Sequence, residues 1–214
     1  MHSPASSRST VRRMARRASY DPDVVFAILD AGLVAHVAFV HDGQPFVIPM
    51  AYGRRGSELM LHGAVASRVL SMSDVPMSAC VTIVDGLVYS RSAFHHSINY
   101  RSVVILGRAR EVTAEADKRA LLDAMIERMS PGRCAQIRAP NPKELAATRV
   151  LALPIEEASA KIRTGGPVEE PGDLDIPTWA GHLPLEMRAR PHVALDESAT
   201  RHPLPALACA IAPH

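Results

Sequence analysis

Between Leu33 and Val112 short apolar runs follow one another, separated by turn-forming residues except for one short helical stretch after His62, and that spacing limits the fold more than any other feature of the chain. Leu33 to Val40 and Phe46 to Tyr52 flank Asp42-Gly43. Gly53-Arg54-Arg55-Gly56 leads into Glu58 to His62. Met77 to Val84 and Leu87 to Ala93 flank Asp85-Gly86, and Val103 to Val112 follows. A parallel pair needs a crossover of a dozen or more residues, so these connections dictate antiparallel hairpins. Six such strands in succession suit a closed or nearly closed barrel better than a doubly wound sheet. The fold class is therefore mainly β, a barrel with flanking α-helices. Pro49 cannot donate to a ladder, so it marks an edge or a bulge where backbone is left free to meet a ligand.

Helices are signalled at fewer places. Asp21-Pro22 reads as an N-cap and first helical position, and Val24, Val25, Ile28 and Leu29 make a stripe that Gly32 stops. Thr113 reads as the cap of an amphipathic helix carrying Leu121, Ala124, Met125 and Met129 on one side, ended by Pro131-Gly132. Pro142 to Ala147 reads as a short helix and Arg149 to Lys161 as a last strand. Residues 1 to 20 hold Arg8, Arg12, Arg13, Arg16 and Arg17 among serines with no acidic residue. A transit peptide or a basic arm fits that composition, and a disordered leader fits it better. From Gly165 the chain turns rich in Gly, Pro and acid, then Thr178-Trp179-Ala180-Gly181 follows, and residues 188–214 form a Pro/Ala-rich tail. One folded domain over residues 21–187 accommodates these signals.

The stretch Leu61-His62-Gly63-Ala64-Val65-Ala66-Ser67-Arg68 carries the sharpest chemical signal. A strand, a glycine bend and a helix start placing a hydroxyl beside a guanidinium suit an anion, because free N–H groups and a charged fork both bond phosphate oxygens. The same residues also fit an ordinary solvated helix start, running on to about Asp74. A net charge of +2 gives no argument for nucleic-acid binding. Cys80, Cys134 and Cys209 form no C-x-x-C pair and are odd in number, which argues against a disulfide framework or a zinc site and for the cytoplasm. No run of about 18 apolar residues is present to span a membrane. His95 and His96 are adjacent, so in extended chain they face opposite ways and do not share a metal, and no Ser/His/Asp or Cys/His set supports a hydrolase.

With these elements in place, the sequence resembles the flavin-binding split-barrel group that includes pyridoxamine 5′-phosphate oxidase, nearest to its nitroimidazole-resistance and flavin-nucleotide-binding branch. The resemblance is carried by Val47-Ile48-Pro49-Met50-Ala51-Tyr52, by Leu61-His62-Gly63 with Ala66-Ser67-Arg68, and by Phe94 to Val103. Lys161-Ile162-Arg163-Thr164-Gly165 and Trp179-Ala180-Gly181 complete it. It implies FMN in a groove between two subunits of a homodimer, with the backbone of Pro49, Met50, Ala51 and Tyr52 along the isoalloxazine ring and Ser67 with Arg68 on the phosphate. His62 with Gly63, Asn99, Arg101, Lys161, Arg163 and Trp179 join the cofactor set, some from the partner subunit, and His96 stands on the substrate side. For Lys161 and Arg163 a solvated strand face is an equal reading, for His62 simple packing, and for Trp179 an anchor for a loose tail.

The resemblance implies an FMN-dependent oxidoreductase, nitroreductase-like, taking electrons from NAD(P)H to a small acceptor. A flavin carrier or sensor without turnover is the alternative, and a haem-binding split barrel, which needs an exposed His ligand, is a third. The pyridoxamine oxidases end in a substrate-binding segment with Arg, His and Trp, whereas this chain ends in Ala-Cys-Ala-Ile-Ala-Pro-His. The family's name therefore does not set this member's activity.

Overall fold

The computed structural model describes residues 2–207, so Cys209 and the final Ala-Cys-Ala-Ile-Ala-Pro-His lie outside the described residues. Ten strands form one antiparallel sheet: β1 (Ala18–Ser19), β2 (Val34–His41), β3 (Gln44–Arg55), β4 (Glu58–Ala64), β5 (Pro76–Tyr89), β6 (Ser97–Arg108), β7 (Arg110–Glu111), β8 (Thr148–Pro154), β9 (Glu157–Arg163) and β10 (Gly181–Pro184). Their spatial order is β1-β9-β6-β5-β2-β3-β4-β8-β7, with β10 added to the end of β5. Period-two burial makes one core: Val37, Leu59, Leu61, Val81, Val103, Ile105, Leu151 and Leu153 are fully buried and point inward. Truncating one of these leucines to Ala typically costs about 2–5 kcal/mol.

Helix α1 (Pro22–Ala31) starts as expected, with the Asp21 side chain accepting from the Asp23 N–H at 3.0 Å and Pro22 in the first turn. It lays Val25, Ile28 and Leu29 into that core. Gly32 ends it in extended backbone (φ −81°) and is needed for space, since a Cβ there would sit 2.5 Å from Val81 Cγ1 and 2.8 Å from the Tyr52 hydroxyl. Helix α2 (Glu115–Met129) is preceded by Ala114, so Thr113 is not its cap. Its Leu121 and Met125 close over Met60, Val112, Val150 and Ala152, outward residues of β4 and β8 and their surroundings. Helix α3 (Pro142–Ala147) carries a reciprocal cap between Asn141 and Glu144.

Four further expectations need correction. Asp85-Gly86 is not a turn: β5 runs straight through it with a bulge, because Arg101 grips the Asp85 carboxylate at 2.7 and 2.9 Å and β10 lies against Gly86. The run Arg149 to Lys161 is two strands. It breaks at Ile155-Glu156, and the chain passes from the β4 side to the β6 side, drawing the barrel together. The segment after Ser67-Arg68 is a three-residue 3-10 turn, Val69–Ser71, rather than an α-helix. The leader is docked rather than free: Arg8 and Ser6 bond Glu157, Tyr20 accepts the Val11 N–H at 2.8 Å, and β1 covers the edge of β9. No helix among the described residues is long and apolar enough to cross a membrane.

Candidate functional site

The site is built around a parting of β3 and β4. Asp42 and Gly43 have positive φ, as a two-residue hairpin requires, and His41↔Gln44 closes the β2–β3 ladder. Hydrogen-bonded pairs alternate along such a ladder, so Phe46, Ile48 and Met50 bond β2 while Pro45, Val47, Pro49 and Ala51 turn their C=O groups, and Val47 and Ala51 their N–H groups, the other way. On that side β4 pairs β3 only from Tyr52↔Leu61 to Arg55↔Glu58. Past Tyr52 the two strands diverge, and β4 goes on with β8 to Ala64. The backbone of Val47, Pro49 and Ala51 is thereby left open over a stretch of about 15–20 Å. Pro45 and Pro49 both occupy positions with no ladder N–H to lose, which is why two prolines are tolerated in one strand.

The other wall of this opening is the turn after β4. Gly63 is packed close to the Leu70 side chain, where a Cβ would come to 3.0 Å, and the Val65 and Ser67 N–H groups bond the Ala147 and Ala64 carbonyls. Ser67 is half-buried and Arg68 exposed. The Arg68 guanidinium lies over the Phe46 ring of β3, 4.5 Å from its centroid, so the seat and the open strand edge meet across the mouth of the opening. A flavin nucleotide needs backbone donors and acceptors for its ring edge and a fork for its phosphate, and this donor set supplies both.

The remaining residues of the expected set fall elsewhere. Tyr52 is engaged internally: its ring is buried under Arg128, its hydroxyl donates to the Leu29 carbonyl, its own carbonyl accepts from Arg128, and burial pushes its pKa up to about 12. Arg101 is held by Asp85 on the bulge. Arg163 is 6% exposed and caged by Asn99 Oδ1 and the Gly165 and Gly166 carbonyls, while Asn99 also donates to Gly165 O at 3.1 Å. These two therefore pin the Gly165-Gly166 loop, and burial lowers the Arg163 pKa. Lys161 is half-exposed and pairs in register with Ala18 of the leader.

His96 and Trp179 come together on Tyr89 of β5, at ring-centroid distances of 5.9 and 5.7 Å. Trp179 is 64% exposed and lies over Gly181, where a Cβ would strike its ring at 2.9 Å. His96 Nδ1 is 3.0 Å from the Ser92 carbonyl, which makes that nitrogen the N–H donor and leaves Nε2 with the lone pair. His62 points away from the core toward α2. Its ring lines a pocket of ≈ 380 Å³ with Leu122, Met125, Ile126 and Met129, closed at one side by the Arg138–Glu144 pair. Its Nδ1 is buried without a partner among the described residues, and burial pushes the imidazole below its ordinary pKa. Neither ring belongs to a metal cluster of three or more His, Cys, Asp or Glu among the described residues.

Phe46, Tyr89, Ser92 and Arg128 were not among the expected site residues. Phe46 alone had a visible signal, standing opposite Phe39 about the Asp42-Gly43 turn. The others act through contacts made far along the chain.

Residues 21–162 match the model of the family described as pyridoxamine 5′-phosphate oxidase. The flavocytochrome Anf3 from Azotobacter vinelandii is 36% identical, with 94% of this chain and 95% of that chain covered and a TM-score of 0.89. A protein from Mycobacterium smegmatis described as binding FAD and heme is 37% identical, with coverage of 88% and 94% and a TM-score of 0.83. A 5-nitroimidazole antibiotic resistance homologue from Bacteroides thetaiotaomicron, 17% identical over 68% of this chain and 86% of its own with a TM-score of 0.55, shares the fold. No curated protein matches. The split β3–β4 geometry and these matches together make the chain a member of the pyridoxamine 5′-phosphate oxidase family, with its split-barrel fold.

Proposed function

We propose that this protein is a redox flavoprotein that holds a flavin nucleotide along the open backbone of Val47, Pro49 and Ala51, with its phosphate on Ser67 and Arg68. The observation that carries this reading is the donor set of the opening: strand N–H and C=O groups on one wall and, on the other, an Arg68 fork with no carboxylate or carbonyl partner among the described residues. When bound, a flavin accepts hydride from a nicotinamide and passes electrons to a small acceptor. The chain's part is to orient the ring edge and neutralise the phosphate. FMN satisfies the seat, and the mycobacterial relative described as binding FAD supports the dinucleotide instead. A second copy of the chain completes the groove: Val47 and Val40 are 63% and 56% exposed, and Val34 and Val84 extend the same uncovered apolar face.

A second cofactor has its own support. The relatives described as a flavocytochrome and as a heme-binding protein match over nearly their whole length, and this chain offers two ring nitrogens suited to iron. His96 would be suited to hold the iron, since its Nδ1 is oriented by the Ser92 carbonyl and its Nε2 keeps the lone pair. His62 is the other candidate, kept neutral by burial beside an apolar pocket. With both cofactors the protein is a two-centre electron carrier or oxidoreductase fed by NAD(P)H.

The test is the visible spectrum of the purified protein with chromatography of the flavin released by acid. Flavin bands with FAD or FMN released support the reading, and a Soret band lost in His96→Ala or in His62→Ala assigns the haem ligand. A colourless protein that takes up neither flavin contradicts it.

A further inference from the structure

Among the described residues three arginines carry their guanidinium carbon over an aromatic ring, and two of them are internally satisfied. Arg54 over Phe26 bonds the Asp30 carboxylate, and Arg128 over Tyr52 bonds the carbonyls of Leu29, Asp30, Gly32 and Tyr52. Arg68 over Phe46 is the third. Its side chain has no carboxylate or carbonyl partner among the described residues; its main-chain carbonyl accepts from the Ser71 hydroxyl and from the Ser71 N–H.

From this contrast we infer that Phe46 is the positioning residue of the anion seat, holding the Arg68 guanidinium by its face so that its N–H edge is presented to a phosphate. The inference rests on the flavin reading above. Phe46 is itself fixed. It pairs in register with Phe39 across the hairpin, the two rings stack at 5.6 Å and 17°, and Phe39 is 3% exposed in the core. His41 leans on the other part of the Phe46 ring at 6.4 Å. The guanidinium is thus the exposed end of a stack rooted in the barrel.

The physical consequence is preorganisation. A free arginine carries about 2 kcal/mol of rotamer entropy, part of which is lost whenever it closes on a ligand. Stacking removes that freedom beforehand, and it occupies the face of the fork while leaving the in-plane donors unused. A leucine at position 46 keeps apolar volume against Phe39 but offers no π-face.

The test is titration of the full chain, freed of flavin, with FMN and with riboflavin, which lacks the phosphate, for wild type, Phe46→Leu, Phe46→Met and Phe46→Tyr, each also in an Arg68→Ala background. Phe46→Leu and Phe46→Met are expected to weaken FMN about three- to tenfold and riboflavin less than twofold. Phe46→Tyr keeps wild-type affinity, and with Ala at position 68 no change at position 46 has further effect. The assignment of Phe46 is overturned alone if wild type prefers FMN over riboflavin and the Leu and Met variants do so equally. It is likewise overturned if riboflavin weakens as much as FMN, or if the loss persists in the Arg68→Ala background. A wild type that binds neither ligand overturns the flavin reading and the role of Phe46 with it.

Discussion

Arg128 shows how much a single side chain can settle. Helix α1 ends with no basic residue in its last turn, so its terminal carbonyls lack a local partner. The Arg128 guanidinium reaches across from α2 and bonds Leu29 and Gly32 carbonyls of that terminus together with the carbonyl of Tyr52. One cation thereby ties α1, α2 and the strand whose open edge begins at the next residue. Arg128→Ala is expected to lower stability by about 2–3 kcal/mol, since charge-assisted hydrogen bonds are worth about 1.5–3 kcal/mol each and their loss here strands buried carbonyls. Denaturant unfolding measures it. His62 gives a residue-scale prediction of the opposite kind. Its folded pKa is lowered by burial, so the unfolded chain takes up the proton first as pH falls. The stability tied to neutral His62 is complete above the ordinary histidine pKa near about 6.5 and is lost progressively below it. Chemical unfolding at a series of pH values shows a shallower acid slope for His62→Gln than for wild type. At this scale the sequence was legible where chemistry is local: Asp21-Pro22 and Asp42-Gly43 act as their types suggest. Arg128, Tyr89 and Phe46 were not, because an arginine's partners 76 to 99 residues away leave no trace in its neighbours.

Among the elements, β3 and β5 carry the contrast between what reads and what does not. Pro49 announces that β3 has a free side, and the register shows which groups are freed. Asp85-Gly86 has the composition of a turn, yet Arg101 and β10 hold it as a bulge in one 14-residue strand. Turn chemistry is a local preference, and a bidentate ion pair with an added strand outweighs it. The consequence reaches the candidate site, since β10 and the Trp179 ring packed on Tyr89 depend on the bulged end of β5. Trp179 is the chain's single tryptophan, which makes its emission a clean reporter. If the exposed ring walls the flavin groove of the dimer, emission is strongly quenched in the flavin-loaded protein and recovers on flavin removal. Equal emission in folded flavin-loaded and flavin-free forms leaves Trp179 as the anchor of the segment after Pro177 on Tyr89.

For the whole molecule, the barrel class follows from strand spacing alone, while its closure does not. The crossing at Ile155-Glu156 and the docking of the basic leader on β9 depend on edges that exist only once the sheet has curled. The same reasoning applies to association. The apolar outer face with Val34, Val40, Val47 and Val84 abuts the open edge of β3, so under the proposed reading burying that face against a second copy would enclose the flavin in the same step. Light scattering should give a dimer that releases flavin on dilution to monomer, and a 23.1 kDa species with flavin still bound contradicts it. The central claim, that the opening between β3 and β4 seats a flavin nucleotide with its phosphate on Arg68, is tested most directly by calorimetric titration of flavin-free protein with FAD, FMN and riboflavin. Wild type should bind the phosphorylated flavins more tightly than riboflavin, and Arg68→Ala should lose about ten- to a hundredfold for them alone, as expected for a charge-assisted hydrogen bond. Riboflavin binding as tightly as FMN and FAD, with Arg68→Ala indistinguishable from wild type, would contradict the account.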